Sequence, residues 1–179
     1  MAENNKAREL LLVIDMQNDF IDGALGTPEA RAIVENVVRE IKKYPSRDVI
    51  ATRDTHTPDY LETSEGRHLP VVHCVRGAQG WELAPAVAEA LGGAEIVDKP
   101  GFGSIALSER LHALSEREEI AVTLIGLCTD ICVVSNALLL RAFLPEATLR
   151  VRADCCAGVT PESHRAALET MKMCQIEIV

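Results

Sequence analysis

The sequence has no excess of positive charge: 18 Lys and Arg stand against 27 Asp and Glu, the formal net charge is -9, and no stripe of clustered basic residues occurs. Such a chain disfavours the phosphate backbone, so nucleic acid is not expected as a partner. No apolar run approaches the length of a membrane span, so no membrane partner is expected either. The opening segment MAENNKAREL is polar and mixed in charge, without the basic-then-apolar pattern of a secretory signal. Both absences point to the cytoplasm, where thiols stay reduced, and the six cysteines then read as core or catalytic groups rather than disulfides. None forms a Cys-x-x-Cys pair. Cys128 and Cys132 lie four apart and Cys155 and Cys156 are adjacent, which fits no structural zinc spacing. Repeats, low-complexity tracts and a dividing linker are also missing. With 47% hydrophobic residues over 179 positions, residues 1–179 are expected to form a single domain around one substantial core.

What is present is an alternation of short, continuous apolar runs with longer segments of helical spacing, the pattern of a parallel sheet covered on both faces. The runs are Leu10–Asp15, Asp48–Arg53, Ala94–Lys99, Ile120–Gly126, Thr148–Ala153 and Ile176–Val179, which make six candidate strands. Ile33, Val34, Val37, Val38 and Ile41 repeat at helical spacing behind Thr27-Pro28, an N-cap followed by proline in the first turn. Thr160-Pro161 repeats that start signal for a last helix, and further helices are read at Glu82–Leu91, Ser104–Arg117 and Asp130–Leu144. The repeated βα order predicts an α/β fold: a three-layer αβα arrangement on a six-stranded, mostly parallel sheet with Rossmann-type winding. From Thr55 to Gly80 no periodicity is convincing, yet the segment holds three histidines and several carboxylates. A loop of that length in a compact domain is usually functional or disordered, and metal-ligand residue types favour function.

In open α/β sheets ligands bind at the carboxyl ends of the strands. The first strand ends at Asp15, the third at Lys99, and the fourth leads through Gly126 into LCTDIC and a helix, so three reactive groups are expected on one sheet edge. Asp130 is read as the cap of that helix, which puts Cys132 in its first turn, where free N–H groups and the helix dipole would stabilise a thiolate. A small cysteine packing the helix against the sheet would fit the same spacing. Asp15 directly follows LLLVI and is a candidate general base, or else a solvated aspartate opening a turn. Lys99 precedes Pro100, Gly101 and Gly103, a turn able to aim its ammonium into a cleft, although strand-end lysines are commonly on the surface.

The segments VIDMQNDF, DKPGFGS and GLCTDICV resemble the three signature blocks of the isochorismatase-like cysteine hydrolases, and within them of the nicotinamidases. The resemblance covers nearly the whole chain. It implies a catalytic triad of Asp15, Lys99 and Cys132, a substrate-lining Phe20, and an oxyanion hole made by the N–H groups of Cys132 and Cys128, the latter aimed by a cis peptide between Leu127 and Cys128. Asp54-Thr55-His56 resembles the D-x-H metal motif of nicotinamidases, and His73 in VVHC resembles their second metal histidine. Many members carry another histidine shortly after D-x-H, where this chain has Tyr60 and Leu61, and Glu65 is taken as the fourth ligand, with Glu62 and His68 as alternatives. One divalent metal is implied, zinc first, with manganese or iron as alternatives. An aromatic residue often found before the second metal histidine is Leu69 here. The expected activity is amide hydrolysis through a thioester, on nicotinamide or on a carbamoyl or ureido compound. A catalytically idle, ligand-binding domain of the same fold is the alternative from another class. A small-molecule amide and further copies of the chain, as a homo-oligomer, are the expected partners.

Overall fold

The computed structural model describes residues 7–179. Strand β1 (Arg8–Ile14) leads through helices α1 (Asn18–Ile21) and α2 (Pro28–Ile41) into β2 (Val49–Asp54). A connection carrying α3 (Ser64–His68) and α4 (Pro85–Leu91) reaches β3 (Glu95–Lys99), and α5 (Ile105–Ser115) returns the chain to β4 (Ile120–Leu127). Helix α6 (Val134–Phe143), β5 (Thr148–Ala157), α7 (Pro161–Met173) and β6 (Glu177–Ile178) follow. Every strand pairing is parallel, in the order β3-β2-β1-β4-β5-β6.

Alternation along β1 explains the three layers. Leu11 and Val13 face a core shared with Val37 and Ile41 of α2 and Val87 and Leu91 of α4, whereas Leu10, Leu12 and Ile14 face Leu107, Leu111, Ala137, Leu140 and Met171 on the opposite side. Two of the expected start signals act as caps: Thr27 accepts from Ala30 N–H, and Thr160 forms a reciprocal capping box with Ser163.

Three expectations need correction. The helix expected from Glu82 starts at Pro85, because the backbone before it pairs with the segment after β1: Asn18 N–H donates to Glu82 O and Ala84 N–H to Met16 O. The stretch from Thr55 to Gly80 is not without structure, since it contains a 3-10 turn at Tyr60–Glu62 and α3, whose cap Thr63 accepts from Gly66 N–H. Elements of three and five residues are too short to show periodicity. Strand β5 runs to Ala157 instead of Ala153, its end pairing with Gly126 and Leu127 beyond an irregularity in register. Among the described residues, no helix is long and apolar enough to cross a membrane.

Candidate active site

The winding reverses between β1 and β4: β2 and β3 lie on one side of β1, and β5 and β6 lie beyond β4. Such a switch point opens a crevice at the carboxyl ends of the two central strands. Gly126, at φ 118°, permits their close approach, because a Cβ there would sit 2.1 Å from Ile14 O. Asp15 leaves β1 at φ 47°, Lys99 ends β3, and Cys132 lies in the turn after β4.

These three side chains meet. The Lys99 ammonium lies 2.6 Å from Asp15 Oδ2, 3.4 Å from Cys132 Sγ and 3.4 Å from Asp54 Oδ1, and it donates to Gly101 O at 3.0 Å. All are buried, Asp15 at 0%, Lys99 at 1% and Cys132 at 4% exposure, so neither the solvated aspartate nor the surface lysine describes them. Burial opposes the Lys99 charge, but Asp15, Cys132 and Asp54 together hold the ammonium above its ordinary pKa. At Asp15 burial outweighs the attraction of Lys99 and raises the carboxyl.

The environment of Cys132 differs from the expected helix start. Residues Thr129–Val133 form a π-type turn, α6 begins only at Val134, and the residue preceding the turn, Cys128, gives no side-chain cap. Asp130 does not cap it either, since its carboxylate accepts from Val159 N–H at 3.1 and 3.2 Å. Burial, then the neighbouring Asp15 carboxylate, raises the Cys132 thiol well above the ordinary value, against the pull of Lys99. Burial beside a carboxylate thus outweighs any help that the start of a helix would give a thiolate here. The peptide joining Leu127 and Cys128 is cis.

Beside this triad, ligand atoms of Asp54, His56, Glu65 and His73 all lie within 4.8 Å of one another. His56 Nε2 is 2.9 Å from Asp54 Oδ2 and 3.7 Å from Glu65 Oε1; His73 Nε2 is 3.6 and 3.7 Å from the same two atoms. Nitrogen and oxygen ligands about 2.1 Å from a tetrahedral ion stand about 3.4 Å apart, so the cluster has the dimensions of a metal site. The donor set fits too. His73 Nδ1 contacts Val71 O at 2.8 Å, which leaves Nε2 facing the cluster, and His56 Nε2 is buried and, although 2.9 Å from Asp54 Oδ2, is not aligned for a hydrogen bond to it. Of the alternatives, Glu62 is exposed and His68 Nδ1 contacts Ser64 O, so neither joins the four. Tyr60 backs both imidazoles, its ring 4.7 Å from His56 and 5.0 Å from His73 between centroids.

A cavity of about 600 Å³ joins triad and cluster, lined by Cys132, Cys128, Asp54, Glu65, His73 and Phe20 among others. Three buried residues that hold it were not read from the sequence. Thr52 donates its hydroxyl to Asp15 Oδ1 at 2.6 Å and accepts from Asp15 N–H at 3.3 Å. Gln17 binds both backbone polar groups of Asp54, accepting from its N–H at 2.7 Å and donating to its carbonyl at 2.8 Å. Asn136 donates to Phe102 O and Cys132 O and accepts from Ser104 N–H, tying the turn after Lys99 to the turn that carries the cysteine. A threonine in the middle of a buried strand run was the available signal for Thr52.

Residues 9–179 match the Isochorismatase domain family. The chain belongs to that family. It is 30% identical to the nicotinamidase/pyrazinamidase of Mycobacterium tuberculosis over an alignment 197 positions long, which covers 94% of this chain and 97% of that protein. The pyrazinamidase of Pyrococcus horikoshii, solved in complex with zinc, superimposes with a TM-score of 0.80 at 30% identity, covering 96% of this chain and 98% of that one. The pyrazinamidase/nicotinamidase of Streptococcus mutans gives a TM-score of 0.82 at 26% identity, covering 96% and 99%.

Proposed function

We propose that this isochorismatase-family chain is a cysteine amidohydrolase that converts nicotinamide to nicotinate and ammonia. The observation that carries the reading is a buried ammonium 2.6 Å from one carboxylate and 3.4 Å from one thiol, beside a four-residue ligand cluster on a shared cavity. Similarity to nicotinamidase/pyrazinamidases across nearly the full length of both chains supports the amide as substrate class.

In this mechanism Asp15 Oδ2 takes the Cys132 thiol proton as the sulfur attacks the carboxamide carbon. Burial raises the proton affinity of both groups, which disfavours a standing thiolate while leaving Asp15 a stronger base than an exposed carboxylate. Lys99 faces both and balances the negative charge that moves between them. The N–H groups of Cys128 and Cys132 hold the carbonyl oxygen as it becomes negative. Collapse breaks the carbon–nitrogen bond, and Asp15 returns the proton to the departing ammonia. Water then attacks the thioester, Asp15 takes its proton, and nicotinate leaves as the proton returns to sulfur. A divalent ion held by Asp54, His56, Glu65 and His73, zinc first among the candidates, would supply a Lewis-acidic anchor for the ring nitrogen of the substrate. Phe20, whose ring is 5.6 Å from that of His73, walls the same space. The six cysteines are all free, which suits a compartment that keeps thiols reduced, and we place the enzyme in the cytoplasm on that ground.

The test is ammonia release from nicotinamide by the metal-loaded protein and by Cys132→Ala and Asp15→Asn. Each variant is expected to lose at least about 10²-fold in rate while keeping its fold. Retention of more than about a tenth of the native rate by either would refute the roles assigned. Release from carbamoyl or ureido compounds but not from nicotinamide would move the substrate to that class.

A further inference from the structure

The cavity is larger than a single-ring amide requires. An apolar cavity of roughly 150 Å³ holds a benzene ring. Against about 600 Å³, a pyridine ring with its carboxamide therefore leaves much of the space unfilled. The reactive and ligand-type groups Cys132, Asp54, Glu65 and His73 are buried or half-buried, and Thr27, Ser64 and His68 add polar atoms to the lining, the last two on exposed residues. Much of the remaining wall is apolar, formed by Leu25, Leu69, Phe102, Ile131 and Val159. Three of these open to solvent, Leu69 at 36%, Phe102 at 46% and Val159 at 51% exposure. They come from separate segments, after α3, after β3 and after β5, so the apolar surface is assembled by the fold around the mouth of the site.

Water filling such a channel gains little from its walls, whereas an apolar group there is removed from solvent on two or more sides. We propose that the site accepts aryl carboxamides bearing an apolar substituent on the ring, with the carboxamide at Cys132 and the substituent between Leu69, Phe102 and Val159. The inference rests on the amidohydrolase reading for the orientation of the amide. The extent of the apolar channel does not depend on turnover.

The experiment separates the two. Calorimetry on the metal-loaded native protein compares the product acids in parent and extended pairs, nicotinate with 5-phenylnicotinate and 6-phenylnicotinate, and benzoate with biphenyl-3-carboxylate. Acids do not turn over, so the result stands whether or not nicotinamide is hydrolysed. Each methylene buried contributes about fourfold in affinity, so a ring only partly enclosed is expected to tighten binding at least about tenfold in one or both pairs. Binding of every extended acid no tighter than about threefold over its parent overturns the proposal, since that is less than one buried methylene. A gain is expected to fall at least about fivefold in Val159→Trp, and likewise in Leu69→Trp, because an indole fills the channel. A gain that survives both substitutions places the substituent elsewhere and overturns the assignment. Turnover of the matching amides then reads the hydrolase separately: acids that show the gain while no amide releases ammonia would sustain the channel and refute the activity.

Discussion

Replacing Thr52 by valine keeps the shape of the side chain and deletes one hydroxyl, which in this fold removes two buried hydrogen bonds at once. The first runs to Asp15 Oδ1 at 2.6 Å and involves a charged acceptor; the second, from Asp15 N–H at 3.3 Å, is neutral. A buried bond to a charged group is worth about 1.5 to 3 kcal/mol and a neutral one about 1 kcal/mol, so the loss is about 2.5 to 4 kcal/mol. For a chain of this size that lowers the melting temperature by roughly 5 to 15 °C. The kinetic consequence follows from placement. Oδ1 and the backbone N–H hold a residue at φ 47° so that Oδ2 faces Lys99. Freed from Thr52, the carboxyl can turn, and a displacement near 1 Å costs up to about 10²-fold in rate. Thr52 does not line the cavity, so kcat for nicotinamide is expected to fall about 10- to 100-fold with KM changed by less than about threefold. Thr52→Ser restores the hydroxyl and is expected to recover most of kcat. The assay is steady-state ammonia release alongside thermal unfolding of both variants. Native kcat in Thr52→Val, or failure of Thr52→Ser to exceed it, would refute the positioning role.

Gly126→Ala is expected to be among the most destabilising single changes, by more than about 4 kcal/mol, because the new Cβ meets Ile14 backbone at 2.1 Å on the two central strands; native-like unfolding in urea would contradict this. Glu65→Gln weakens the metal site by removing a charged ligand, so metal retained after dialysis, measured by elemental analysis, should fall well below that of the native protein; equal retention would remove Glu65 from the ligand set. His164 has its pKa lowered by burial, with Asp130 opposing and Arg165 assisting, and its Nδ1 contacts Thr129 Oγ1 at 2.8 Å. The unfolded chain therefore takes up that proton first, and stability is lost as pH falls through 6.5, the ordinary value, toward the lower folded value. Melting temperatures between pH 8 and pH 5 should accordingly drop more for the native protein than for His164→Gln, and parallel curves would count against the assignment.

The three layers were legible in the sequence because each strand is a short apolar run and each long helix carries either a cap signal or apolar residues at helical spacing. The convergence of Asp15, Lys99 and Cys132 was legible for a related reason: parallel strands send their carboxyl ends to one edge, and each residue stands at or just past such an end. Other features depend on contacts that local pattern does not encode. Asp130 looks like a helix cap in isolation, but the backbone N–H of Val159, brought close by β5, takes its carboxylate. The raised proton affinity of the Cys132 thiol follows from its burial beside Asp15, which no spacing rule conveys. No local pattern marks Gln17, yet it binds the backbone of Asp54 on β2, a partner brought to it by sheet order.

The central claim is that Cys132 attacks an amide carbon and carries the acyl group. It is tested most directly by rapid acid quench of the metal-loaded protein during turnover of nicotinamide, followed by mass spectrometry of the peptide containing Cys132. A covalent nicotinoyl thioester on that cysteine, absent in Cys132→Ala and decaying at the rate of nicotinate release, is the predicted result. Steady release of nicotinate and ammonia with no acyl group on Cys132 at any quench time, from a Cys132→Ala protein as readily as from the native one, would contradict it.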